Sequence, residues 1–184
     1  SADEHMNLSL GPVHSRSNPP ESFNKTMHFL NPDFAMLMGR TGLRKGCESY
    51  FFLTYDRCLS WEGPYSFPMF GELGIAARTD IIKDRSDTHR AKLFLSSTKP
   101  DGDEGRVFCA ETQNGGRSFK FISWIRESPE GFDIMPSSLK LPSGRFITAL
   151  RCRSSDNNRG WIDLMYSDDE AISWRQLSKP VDNT

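Results

Sequence analysis

One eight-residue pattern, [ST]-x-[DN]-x-x-x-S-[WF], occurs three times and constrains this chain more than any other feature. It places Thr54, Asp56, Ser60 and Trp61 in the first copy, and Thr112, Asn114, Ser118 and Phe119 in the second. The third copy has Ser167, Asp169, Ser173 and Trp174, and the intervals between Asp56, Asn114 and Asp169 are 58 and 55 residues. Self-similarity at a fixed period of this size means an array of like units that bury their faces against one another. An Asp or Asn in a tight turn accepts hydrogen bonds from backbone N–H groups just ahead of it. Two residues on, such a turn favours a small residue, and Cys58, Gly116 and Ala171 stand there. The serine closes the turn, and the aromatic ring packs between units. The acidic run YSDDEAISW, 166–174, is therefore a folding device and not a catalytic cluster.

Between the boxes the chain reads as short strands punctuated by turn residues. Segments 34–40, 49–55 and 60–67 form one group; 76–83, 91–98, 106–113 and 119–126 form a complete set of four. A third group is 134–141, 145–152, 161–168 and 173–179. No segment sustains a helical period of 3.6. Four antiparallel strands for each repeat of this length is the composition of a β-propeller blade, so the expected fold class is all-β. The opening SADEHM reads as vector-derived residues before a natural Met6, which leaves 7–184 as one partial propeller.

Several function classes are excluded by the bulk properties. A formal net charge of −1 without a basic block gives no nucleic-acid footprint. No apolar run reaches the roughly 20 residues that span a bilayer as a helix. The four cysteines, Cys47, Cys58, Cys109 and Cys152, have no C-x-x-C spacing and are expected to be reduced and mostly buried. His5, His14, His28 and His89 are scattered, so neither a metal nor a cofactor is expected. The N-x-[ST] sequons at Asn7 and Asn24 carry no weight, and Trp124 and Trp161 are expected to pack between blades.

The repeated box resembles the Asp-box, or BNR, repeat of sialidases (neuraminidases), which lies in the turn between the third and fourth strands of a blade. PSSLKLPSGRFITALR, 136–151, is similar to the sialidase segment in which a glutamate strand passes through a turn to an arginine. Sialidase domains have six blades; the resemblance implies that this chain supplies about three of them. It also implies a glycoside hydrolase acting on sialic acid or another acidic sugar, with a substrate pocket on the face opposite the boxes.

In that frame three arginines point at the pocket. Arg40 and Arg151 end second strands, and Arg78 begins a first strand. Sialidases grip a substrate carboxylate with three arginines, because guanidinium groups bind carboxylates bidentately and keep their charge. Each could instead be a surface arginine paired with a nearby acid. Asp80, two residues after Arg78, is a candidate catalytic acid or base, or else a salt-bridge or turn residue. The chain departs from the sialidase pattern at Lys140, which stands at the position matching the family's glutamate, four residues before Gly144. A lysine cannot draw a proton from a tyrosine nucleophile as a carboxylate does. Two functions therefore stay open: an acidic-sugar hydrolase, and a non-catalytic carbohydrate-binding or structural propeller. In either case the exposed faces of a partial ring imply self-association.

Overall fold

A computed structural model of the chain describes residues 19–182 apart from 157, and for residues 78 and 79 the backbone alone. The opening SADEHM, Asn7 and His14 lie outside the described residues.

The described residues form eleven strands and no helix. The first sheet has the order β1-β2-β3, from Ala35–Arg40, Ser49–Thr54 and Glu62–Ser66. The second is β4-β5-β6-β7, from Ile75–Lys83, Ala91–Thr98, Glu104–Thr112 and Lys120–Trp124. The third is β8-β9-β10-β11, from Phe132–Lys140, Phe146–Arg153, Gly160–Ser167 and Arg175–Asp182. Every strand pairs antiparallel with its neighbour in sequence. In the two four-stranded sheets the box precedes the last strand. By the same register β1, β2 and β3 correspond to the second, third and fourth strands of their sheet.

Period-two alternation divides the interior into two layers. On β5 and β6, Leu93, Leu95, Phe108 and Ala110 face the first sheet and join a core with Phe51, Leu53 and Phe67. Their alternates, Phe94, Val107 and Cys109, face the third sheet and pack with Phe146, Leu150, Trp161 and Met165. The middle strands β5 and β6 are thus apolar on both faces, since the second sheet lies between the other two, while all of β11 is exposed. Burying one such aromatic or branched side chain contributes about 1.5–3 kcal/mol. Cys47, Cys109 and Cys152 are buried free thiols, and Cys58 is an exposed one.

The three boxes share one geometry. In the third, Ser173 N–H and Oγ–H donate to the two oxygens of Asp169 at 2.9 and 2.5 Å, and Ser167 Oγ–H donates at 2.7 Å. Asp56 is bound in the same way by Ser60 and Thr54, and Asn114 accepts from Ser118 N–H and donates to Ser118 Oγ. The donors hold the Asp56 and Asp169 carboxyls down at about 2. Two successive residues then adopt positive φ: Arg57–Cys58, Gly115–Gly116 and Glu170–Ala171. Gly116 and Ala171 are buried under their turns, where only a small residue has room, while Cys58 is exposed. Phe119 lies against Phe67 of the first sheet, and Trp174 against Phe94 of the second, its Nε1–H donating to Ser123 Oγ.

The N-terminal part of the described chain adds a feature that the strand pattern does not announce. Residues 21–34 run as a strap along the outer edge of β3, bridging at Glu21–Tyr65, and then over the second box. Met27 N–H donates to Gly115 O at 2.7 Å and Phe29 N–H to Thr88 O at 2.8 Å. Met27 and Phe29 are fully buried there.

Candidate functional site

Antiparallel pairing sorts the connections to the two ends of the sheets. The boxes share one end with the β4–β5 and β8–β9 turns. The loops 41–48, 67–74, 99–103, 125–131 and 154–159 lie at the other end. Arg40 is the last residue of β1, Arg151 is third from the end of β9, and Arg78 is in the first half of β4. All three positions belong to the end away from the boxes.

Arg40 and the Arg78 segment are tied through one serine. Ser49, the ladder partner of Arg40, donates its hydroxyl to Ile75 O at 2.6 Å and accepts the Ala77 N–H at 2.8 Å. Gly39 makes room beside it: a Cβ there would meet the Tyr50 ring at 2.4 Å. Arg40 is half-buried and lies near Cys47; burial and the Glu104 charge push that thiol up, and Arg40 opposes them. Arg151 is exposed one sheet further on, its Nη1 3.7 Å from Met135 Sδ. Among the described residues no carboxylate pairs with Arg40 or Arg151. The side chain of Arg78 lies outside what is described.

Asp80 is engaged. Its carboxylate accepts the backbone N–H of Ser138 on β8, and also the Ile81 N–H at 3.0 Å. Both first strands lose register near this bridge, β4 between Ala76 and Asp80 and β8 between Ile134 and Ser137. The carboxylate thus joins the second and third sheets at their bulged first strands. Sequence reasoning missed Glu72, in the 67–74 loop, whose Oε2 accepts the buried Ser97 hydroxyl at 3.3 Å. It follows no box and no alternation, so no local pattern marks it.

Lys140 stands elsewhere. It pairs with Phe146 beside the hairpin turn, whereas Arg151 pairs with Ile134. Five residues of strand separate the two positions, about 17 Å. Its ammonium binds Glu170 of the third box at 2.7 Å. The lysine in the glutamate position of the resemblance therefore belongs to the box end, and its charge does not bear on an Arg151 site.

A cleft of about 700 Å³ also lies at the box end, between the second and third sheets, walled by the β4–β5 and β8–β9 turns. Among the described residues no cluster of three or more His, Cys, Asp or Glu could hold a metal.

No protein-family model matches the sequence, and no curated protein matches it. Solved structures do. A Dyadobacter fermentans protein of unknown function aligns with a TM-score of 0.61 at 14% identity, over 84% of this chain and 49% of its own. An α-L-arabinofuranosidase from Fusarium graminearum aligns at 0.56 and 11% identity, over 89% and 53%. An α-L-arabinanase of Penicillium chrysogenum complexed with arabinobiose aligns at 0.53 and 13%, over 90% and 55%. The chain spans about half the length of each. At these identities the likeness shows the fold alone, an all-β, propeller-like arrangement of antiparallel sheets.

Proposed function

We propose that the protein is part of a sugar-recognising propeller, about three blades of a six-bladed sialidase-like ring. Its sugar site lies at the end of the sheets opposite the boxes. Arg40, Arg78 and Arg151 hold the carboxylate of an acidic sugar such as sialic acid. The observation that carries this reading is the free state of Arg40 and Arg151 at that end, with Ser49 tying Arg40 to the β4 segment that bears Arg78. A guanidinium without a protein carboxylate is available to a ligand carboxylate, and such charge-assisted pairs contribute about 1.5–3 kcal/mol each. The glycoside-hydrolase fold supports a carbohydrate as the ligand class.

For the chain alone, the non-catalytic version of this reading is favoured. Asp80, the candidate acid or base, already accepts two backbone N–H groups. Its oxygens are thus engaged in tying the second sheet to the third, a structural task. Titration calorimetry with N-acetylneuraminic acid and with its neutral amide tests the binding. The acid binds, the amide does not, and Arg151→Ala abolishes the difference, while fluorogenic sialosides stay at background. Equal binding of acid and amide, or acid binding untouched by Arg151→Ala, refutes the arginine site. Turnover lost in Asp80→Asn would refute the non-catalytic reading in favour of the hydrolase.

A further inference from the structure

The cleft at the box end is a second candidate site, independent of the arginines. Its lining is apolar at Ile81 and Ile82 of β4 and at Leu139 and Leu141 of the β8–β9 hairpin. Leu139 and Leu141 stay 49% and 36% exposed, although both neighbouring sheets are in place. Around this apolar lining stand five cationic side chains, Lys83, Arg85, Arg90, Lys92 and Lys140. The lining supplies only three carboxylates, Asp84, Glu111 and Glu170.

Those carboxylates do not balance the cations. Glu111 is shared: Lys92 Nζ lies 3.0 Å and Arg90 Nη2 3.7 Å from the same oxygen, and Gln113 donates to the other at 2.6 Å. Asp84 accepts both the N–H and the hydroxyl of Ser86, at 2.8 and 2.6 Å. Glu170 answers Lys140 alone. Arg85 is exposed and has no partner among the described residues, and the Arg90 Nε–H is buried without an acceptor.

The cations also converge. Arg90 and Lys92 lie two residues apart at the start of β5, on one face of the strand. Lys140 approaches from the third sheet. The Lys92 and Lys140 ammonium groups stand 5.9 and 4.8 Å from the centroid of the same Phe146 ring, so they are no further apart than the sum of those distances. A volume of this size suits a monosaccharide-sized molecule or a somewhat larger one.

We infer that this cleft binds a small organic anion, a compact ring or chain lying on the apolar lining with a phosphate or carboxylate held between Arg85, Arg90 and Lys140. Guanidinium and ammonium groups recognise both oxyanions, so a sugar phosphate and a uronic acid share the required chemistry. The site is separate from the arginine end of the sheets and does not depend on it.

Titration calorimetry of the full chain at low salt, with glucose 6-phosphate, glucuronate and glucose as probes, tests the assignment. At least one anion binds with a Kd below about 1 mM, while glucose shows no binding at ten times that concentration. Measured in an Arg151→Ala background, which removes the acid-binding end proposed above, Arg85→Gln weakens the anion about tenfold, and Arg85→Gln with Lys140→Gln weakens it further. Arg85 is exposed and outside the core, so its single variant decides the matter if the double variant does not fold. Which of the two anions binds more tightly identifies the oxyanion. Absence of binding by both anions in that background, equal binding of glucose, or binding untouched by Arg85→Gln overturns the assignment. The sialic acid experiment turns on Arg151 at the other end of the sheets, so the two sites succeed or fail separately.

Discussion

Arg126 is the residue whose removal should cost the fold most for a single charge. It follows β7 and reaches into the third sheet. There its Nη1 lies 2.9 Å from Asp133 and its Nη2 2.6 Å from Asp163. Those two carboxylates are only 2% and 4% exposed. Asp163 also accepts Trp161 Nε1–H at 3.0 Å and Gln176 Nε2–H at 3.1 Å, and Asp133 has no comparable substitute for the guanidinium. Arg126→Ala leaves two buried carboxylates without a cation. Breaking a buried pair in this way costs about 3–5 kcal/mol, a large part of the 5–15 kcal/mol typical of a whole domain.

The pH dependence gives the sharper test. Burial already pushes the Asp133 carboxyl up, against the pull of Arg126. Without the arginine, the folded-state value of the Asp133 carboxyl rises further above its unfolded value. A carboxyl raised in the folded state binds its proton more tightly there, so stability falls as pH rises through the folded value. The variant's deficit should therefore be larger at pH 7.5 than at pH 5.5, by up to about 2.7 kcal/mol for one full proton across two pH units. Urea unfolding followed by tryptophan emission, with Trp161 inside the network, measures both quantities. Asp133→Asn and Asp163→Asn added to Arg126→Ala should recover much of the loss. A deficit below about 1 kcal/mol at pH 7.5, or one independent of pH, would refute the account of a charge network buried between two sheets.

Asp169→Ala should lower stability by about 1–2 kcal/mol through the lost turn acceptor, read as a shift of the thermal midpoint; an unchanged melt would remove the structural role of the box. Because Asp56 and Asp169 are held at about 2 from an ordinary value of 3.8, the boxes' contribution should be complete above about pH 4 and fade as pH falls toward 2. Gly115→Ala should release the strap: its φ is +67° and a Cβ would sit 2.7 Å from Met27 O, so limited proteolysis should cut within 21–34 faster than in the parent chain. Light scattering should report a dimer or larger species at micromolar concentration, and a stable monomer would count against two half-rings pairing through their outer faces.

The strands were legible because their signal is local. The 91–98 segment coincides with β5, and 34–40 misses the start of β1 by one residue, since alternation and turn residues set both. Pro64 at an edge strand agrees with the loss of a ladder donor. The strap was not legible. Met27 and Phe29 are buried by contacts with Gly115 and Thr88, far away in sequence, and no periodicity announces that. Asp163 was invisible for a different reason. It shares a face of β10 with Trp161 and Met165, while Ile162 and Leu164 occupy the other face. A strand apolar on both sides does not show which face takes the charge. The placement of Lys140 failed through register: similarity to a motif gave its neighbours in sequence, but the hairpin carries it to the opposite end of the sheet from Arg151.

The two ends of these sheets are built differently. At one end each box is closed by its own hydroxyls and an Asp or Asn side chain, and Gly116 and Ala171 are buried beneath two of the turns. Such turns need nothing from a ligand, and their chemistry is spent on holding the chain. At the other end Arg40 and Arg151 have no carboxylate partner among the described residues, and Glu72 accepts a serine hydroxyl. Polar groups left without strong partners cost stability when they are half-buried, so a fold tolerates them where binding makes use of them. The same reasoning singles out the cleft between the β4–β5 and β8–β9 turns as an exception within the box end. There Arg85 and Arg90 are as poorly matched as the arginines opposite. Incomplete pairing, and not the identity of the box motif, is therefore the property that separates the two proposed sites from the scaffold.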